Sequence, residues 1–300
     1  MAITERMDGK RVVITGATSG IGRATAQALG QLGANLLLVS RDRATGTALA
    51  SHLRKSSGAS AEFIEADLSS FAQVRAAAKQ IRERWSTLDI LLNNAGARFD
   101  AYASTPDNCE QTFATNHLGH FLLTGLLLDC LTSAPSARII TVSSSAAAQA
   151  INDGLWQFGP ANFDRKQAYA KSKLANLLFA FELARRLAGT AVTSLAVDPG
   201  VVATRFARNN GLIPWFKHLL YHGRRGELLR PAQGADSLIY LATTTTLPPQ
   251  AADHCFRLRQ PIRACPAAYD TVAAAHLWNA SIALTGLDPF PENRSRQGSN

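Results

Sequence analysis

Tyr169 and Lys173 stand four positions apart in AYAKSK, just ahead of the apolar run LANLLFAFELARRL. A helix turns about 100° per residue, so positions i and i+4 lie about 40° apart on one face and the Lys173 ammonium can sit beside the Tyr169 phenol. Lys171, at i+2, points the opposite way; it is expected to face water, and its replacement by alanine to be nearly silent. A free phenol ionises near pH ~10, and a close cation lowers that value by about 1–3 units. A tyrosine so placed could exchange a proton near neutrality. A lysine stem lying across a ring gives the same Y-x-x-x-K spacing, so the pair needs supporting context.

A second chemistry is written in TGATSGIG, where Gly16, Gly20 and Gly22 enclose Thr18, Ser19 and Ile21 in a G-x-x-x-G-x-G spacing. Glycines permit a tight turn and close backbone approach, and the N–H groups opening the next helix suit a pyrophosphate. The following strand ends Val39-Ser40-Arg41. Ser40 carries no charge to repel a 2′-phosphate, and the Arg41 guanidinium can pair with one. NADP(H) is therefore favoured as cofactor; Asp42 next door keeps NAD(H) open, since an acidic side chain suits a ribose hydroxyl.

The elements that must position these residues are legible as alternating runs. RVVITG, LLLVS, AEFIEA, LDILLNNAG, ARIITVSS and AVTSLAVDPG read as strands, separated by helical stretches such as FAQVRAAAKQIRERW and FATNHLGHFLLTGLLLDCL. This βαβα order predicts an α/β fold with a parallel sheet and helices on both faces, its ligands at the carboxyl ends of the strands.

With 300 residues, 46% of them hydrophobic and 18% charged, the chain can bury one substantial core. A single domain is expected over 1–287, followed by a disordered polar tail at 288–300. FLLTGLLLDCL is too short to cross a bilayer, and MAITERMDGK lacks a secretory apolar stretch, so the expected location is cytoplasmic. Cys109, Cys130, Cys255 and Cys265 stand singly and read as reduced; His254 beside Cys255 completes no metal set. The net charge of +9 fits nucleic acid, anionic lipid or an anionic cofactor. The pyrophosphate-type motifs favour the cofactor, so no nucleic-acid partner is expected. His117 and His120 in HLGH are read as structural rather than catalytic.

TGATSGIG, NNAG, Ser144 in VSSSA, YAKSK and DPGVVAT occur in this order, and the chain resembles the short-chain dehydrogenase/reductase superfamily across residues 10–250. NHLGHFLLTGLLL, AYAKSKLANLLFAFELARRL and LWNASIALTGL are most similar to its retinol dehydrogenase branch, with the WW-domain oxidoreductase and protochlorophyllide reductase relatives. The resemblance implies a Rossmann-type doubly wound sheet and a small-molecule carbonyl or alcohol substrate. It implies that Tyr169 moves the proton, that Lys173 lowers its pKa and holds the nicotinamide ribose, and that Ser144 hydrogen-bonds the substrate oxygen. Asn116 would steady a water relay to the lysine. Ser143 and Ser145 flank Ser144 and share its chemistry, and an insertion, INDGLWQFGPANF, separates the serines from the tyrosine.

For the cofactor, the resemblance adds Asp67 and Leu68 near adenine and Asn93, Ala95 and Gly96 on the ribose side. Val202 and Thr204, after Pro199 and Gly200, would receive the carboxamide. Asp198 stands where this branch often has histidine, with little expected effect on chemistry but a change in local charge. The amino-terminal membrane anchor of the animal retinol dehydrogenases is missing from this sequence, which argues against importing their location or substrate. Residues 205–230 are expected to form a substrate lid with Trp215, Phe216, Leu219, Leu220 and Tyr221 as its apolar cover. Contact of this lid with a membrane surface is the less favoured alternative. Residues 251–287 read as a carboxy-terminal extension, and a homo-oligomer is open. The reading is an NADP(H)-dependent oxidoreductase working on a small or medium hydrophobic substrate, with reduction the favoured direction. The alternative is a non-catalytic NADP(H)-binding regulatory protein, which would need only the nucleotide cradle.

Overall fold

Six apolar runs form parallel strands: β1 (Arg11–Thr15), β2 (Asn35–Ser40), β3 (Ala61–Glu65), β4 (Ile90–Asn93), β5 (Ala137–Val142) and β6 (Val192–Val197). The computed structural model describes residues 5–151, 153–203 and 228–287. Two three-residue strands that the sequence did not announce, β7 (Cys255–Arg257) and β8 (Gln260–Ile262), complete a sheet ordered β3-β2-β1-β4-β5-β6-β7-β8, in which β8 alone runs antiparallel to its neighbour. The expected extension 251–287 thus contributes to the sheet itself. The strand order reverses between β1 and β4, which places the ligand crevice at their carboxyl ends.

Side chains of successive strand residues point to opposite faces, so β1 feeds two cores. Val12 and Ile14 join the core under α1 (Gly20–Gln31) and α2 (Arg43–Ser57), through Ala26, Leu29, Leu49 and Leu53. Val13 faces the other core, built on α3 (Phe71–Arg84) and on the bent helical region that follows. Each such side chain contributes roughly 1.5–3 kcal/mol by leaving water. A charge at Val13, which is fully buried, would break the sheet's hold on that layer.

The bent region, one helix in the sequence pattern, is divided. Short α4 (Gln111–Phe113) runs into a π-helical turn, Ala114–Leu118, then α5 (Gly119–Leu126) and α6 (Leu128–Thr132). The π turn carries Asn116, and such turns often mark functional positions. Helix α7 (Arg165–Arg186) starts where the Asp164 carboxylate accepts the N–H groups of Lys166 and Gln167, at 2.7 and 2.9 Å. Its apolar face joins the second core with α9 (Thr271–Thr285), while α8 (Pro231–Thr243) packs with α1 on the first. Among the described residues no helix is long and apolar enough to cross a membrane. The lid residues Trp215 to Tyr221, Thr204 and the tail lie outside the described residues.

Candidate active site

The glycine turn, the end of β2 and the end of β4 enclose a cavity of about 410 Å³. Gly16 takes φ +66°, a left-handed conformation that glycine adopts without strain, and donates its N–H to Val39 O at 2.8 Å. A Cβ on Gly22 would stand 2.3 Å from Gly16 O, so only glycine lets helix α1 begin this close to the strand. Ser19 precedes that helix with an extended backbone, and its side chain does not cap it. Thr18, Ser19, Gly20 and Ile21 line the cavity together with Ser40, Arg41, Asp67 and Leu68. Ser40 Oγ meets Thr18 Oγ1 at 3.0 Å, which ties the glycine turn to β2. Arg41 is exposed on the rim. The Asp42 carboxylate is occupied as the cap of α2, accepting Thr45 N–H at 3.0 Å and Thr45 O–H at 2.6 Å. An open, glycine-lined cradle of this size at a helix N-terminus fits a dinucleotide.

Asn93 is a correction. Its side chain turns into the core, where Nδ2 donates to Thr124 Oγ1 at 3.0 Å, and the cavity wall is formed by Asn94, Ala95, Gly96 and Ala97. Asn94, which the sequence reading passed over, donates from Nδ2 to Thr15 O at 2.7 Å and so pins β4 to the glycine turn. The doubled asparagine at the end of a strand was the available signal, and strand alternation decides which of the two faces inward. Gly200 takes φ +76°, and Val202 bridges to Leu229 and lies where a Cβ on Gly234 would come within 2.5 Å of it. Pro199, Gly200 and Val202 are not among the residues lining the cavity.

Behind the cradle, the Ser144 hydroxyl is near enough to the Tyr169 phenol to favour its ionised form. The flanking serines are thereby separated: Ser143 is buried and donates to Lys173 O at 2.7 Å, and Ser145 is exposed. Lys173 Nζ lies 5.8 Å from the Tyr169 ring centre and donates to Val142 O at 3.1 Å. Asn116 accepts Ala97 N–H at 2.8 Å and donates to Ala97 O and Ser172 Oγ, each at 2.9 Å. Gly96 connects cradle and cluster: it lines the cavity, and a Cβ there would stand 3.3 Å from Lys173 Nζ and 3.5 Å from Asn116 Oδ1.

The expected depression of the tyrosine is also corrected. Burial pushes the Tyr169 phenol up to about 12, against the opposing effect of Ser144, while burial brings Lys173 down to about 8. Withdrawal from water penalises both charged forms and is the largest effect at each group.

Lys171 overturns a further expectation. It is 3% exposed rather than facing water, because Asp153, Leu155 and Phe158 of the insertion fold over that side of α7. Its Nζ donates to Asp153 Oδ1 at 2.6 Å and Leu155 O at 2.8 Å, and lies 5.0 Å from the Phe158 ring centre. Phe158 packs edge-on against Phe163 at 6.3 Å, and Phe163 against Tyr102 at 6.0 Å, so the insertion carries an aromatic chain of its own.

The two histidines lie in the core. His117 packs against Phe113 and Phe179 and bonds Ser281 Oγ at 2.9 Å; His120 bonds Thr15 Oγ1 at 2.9 Å. Burial drops them to about 3 and about 4, which keeps them neutral.

The sequence profile of the short chain dehydrogenases matches residues 10–212. The chain belongs to this family. Human retinol dehydrogenase 14 is 37% identical over 94% of the chain and 88% of its own length, and human retinol dehydrogenase 13 is 37% identical over 93% and 86%. Among solved structures, an uncharacterised protein from Mycobacterium paratuberculosis is 33% identical with a TM-score of 0.75, covering 97% of this chain and 100% of that one. The Pseudomonas aeruginosa RhlG/NADP active-site complex is 27% identical with a TM-score of 0.65, covering 81% and 93%. The chain is thus a retinol dehydrogenase-like short-chain oxidoreductase acting on CH–OH groups of small molecules with a nicotinamide cofactor.

Proposed function

We propose that this enzyme uses NADP(H) to interconvert a carbonyl and an alcohol on a small or medium hydrophobic substrate, with carbonyl reduction the favoured direction. The observation that carries the reading is Gly96, which lines the dinucleotide-sized cavity and abuts both Lys173 and Asn116. When bound, the nicotinamide supplies or accepts hydride at the carbinol carbon. Tyr169 gives the proton to the oxygen in reduction and takes it back in oxidation. Ser144, beside the phenol, orients that same oxygen. Lys173 holds a positive charge beside the ring as the phenol loses its proton, and Asn116 fixes the backbone at Ala97 between the two.

The phosphate preference rests on Arg41 at the cavity rim, the uncharged Ser40 and the engagement of Asp42 as a helix cap. The hydrophobic substrate class is supported by relatives named for retinol. Glycine-turn positions Gly16, Thr18, Ser19, Gly20, Ile21 and Gly22 take the pyrophosphate, with Asp67 and Leu68 toward adenine and Ala95 and Gly96 toward ribose. A cytoplasmic location and action as one domain over 1–287 complete the proposal. The test is consumption of NADPH and of NADH against a panel of hydrophobic aldehydes and ketones. Turnover with NADPH preferred is expected; turnover with NADH preferred, or none with any carbonyl, would contradict the reading.

A further inference from the structure

Asp198 follows the last residue of β6 and is 4% exposed. Its Oδ1 accepts Gly200 N–H at 2.9 Å, its Oδ2 takes the Arg257 guanidinium, and its own N–H donates to Phe256 O at 2.9 Å. The neighbouring strand ends in register with it: Val142 of β5 pairs with Val197, and Ser143 N–H donates to Val197 O at 2.7 Å. Val142 O is the acceptor of the Lys173 ammonium. A buried carboxylate and the buried ammonium of the catalytic cluster are therefore fixed to the facing ends of two paired strands.

The partner arginine is also delivered with care. The turn between β7 and β8 places Leu258 at φ +48° and Arg259 at φ +63°, both in the left-handed region that side chains other than glycine and asparagine disfavour. Two contacts to α8 hold it there: Arg259 grips both Asp236 carboxylate oxygens at 2.7 and 2.5 Å, and Arg259 N–H donates to Ser237 Oγ at 3.0 Å. A disfavoured turn that persists beside the end of β6 points to what it presents, here Arg257.

We propose that Asp198 and Arg257 form a positioning pair that sets the proton affinity of the Tyr169–Lys173 couple, Asp198 supplying a buried negative charge and Arg257 limiting its strength. The proposal rests on the reading of Tyr169 and Lys173 given above. The groups that share the field of Asp198 are Tyr169 and Lys173 from α7 and Cys255 and Arg257 from β7. Arg98, after β4, opposes it at Tyr169, and His120 faces Lys173. Burial dominates at both; Asp198 comes next at Lys173 and after the opposing Ser144 at Tyr169, and it favours the protonated form of each. The sign follows directly: a negative charge stabilises an ammonium and disfavours a phenolate, so removing it lets both protons go at lower pH. Removing the arginine leaves the carboxylate unopposed and moves both the other way.

The test is the pH dependence of kcat/KM for carbonyl reduction with cofactor saturating. Asp198→Asn keeps the shape and an acceptor for Gly200 N–H while deleting the charge; its alkaline limb should move about one pH unit toward acid. Arg257→Met should move the same limb toward alkali, and Arg257→Lys should lie between it and the unmodified enzyme. Should Arg257→Met fail to fold, Asp198→Asn and Arg257→Lys still predict displacements of opposite sign. Limbs that stay in place, or that move in the same direction in both variants, would overturn the pair's role. Tyr169→Phe separates this from the parent reading: if that variant keeps its turnover, the proton-transfer assignment has failed, and if it is inactive while the Asp198→Asn limb is unmoved, only the present proposal has.

Discussion

Lys171 and Lys173 sit two residues apart on α7, each 3% exposed, yet they inhabit different chemistry. Lys171 donates to a carboxylate at 2.6 Å and to a carbonyl of the same loop, an arrangement that fastens the insertion at Asp153 and Leu155 to the helix. Lys173 donates to one backbone carbonyl, adjoins the nucleotide cavity at Gly96 and faces a ring, and burial has weakened its hold on its proton. Burial alone does not distinguish a staple from a working group. The partner does, because a carboxylate in contact satisfies the charge, whereas a neutral carbonyl leaves it available to a phenol or a ribose.

Substitution at the two positions should separate these roles. Lys173→Met is expected to cost at least about 100-fold in kcat/KM and to weaken nucleotide binding measured by fluorescence titration. Equal effects at Lys171 would erase the distinction. On the nucleotide side, Arg41→Ala should weaken NADPH binding by about 10- to 150-fold, the value of a charge-assisted hydrogen bond of roughly 1.5–3 kcal/mol, and leave NADH nearly unchanged. Parallel losses for both cofactors would assign Arg41 to adenine or to the fold. The smallest effect should come from Lys171→Met. The Asp153 side chain is 41% exposed, so the pair is partly screened and its loss should cost about 1–2 kcal/mol in urea unfolding. Faster proteolysis within 150–164 should accompany it, with kcat/KM falling by no more than about tenfold.

What the sequence made legible divides along the same line. The glycine turn, the β2 terminus and the tyrosine–lysine spacing are local patterns whose geometry follows from backbone conformation, and the six parallel strands were readable from apolar runs, whereas their doubly wound order came from the family resemblance. Lys171 was misjudged because helical phase reports direction relative to the helix, not what a distant insertion lays over it. The three-residue strands β7 and β8 carry too few side chains for an alternating pattern, and Pro261 lies in one of them. The buried charge of Asp198 gained its meaning only when β7 brought Arg257 beside it, 59 positions along the chain. The rise of the Tyr169 phenol belongs with these: desolvation is set by the whole fold, whereas the lysine's proximity can be read from one turn of helix.

The central claim is that Tyr169 transfers the proton while the cradle binds the nucleotide independently of it. Tyr169→Phe, which removes the hydroxyl and retains the ring, tests it most directly when kcat for carbonyl reduction and the Kd for NADPH are measured on the same preparation. The account predicts a fall in kcat of about 10²- to 10⁴-fold with the Kd unchanged. Retention of more than about a tenth of the activity, or a loss explained by failed nucleotide binding, would contradict it.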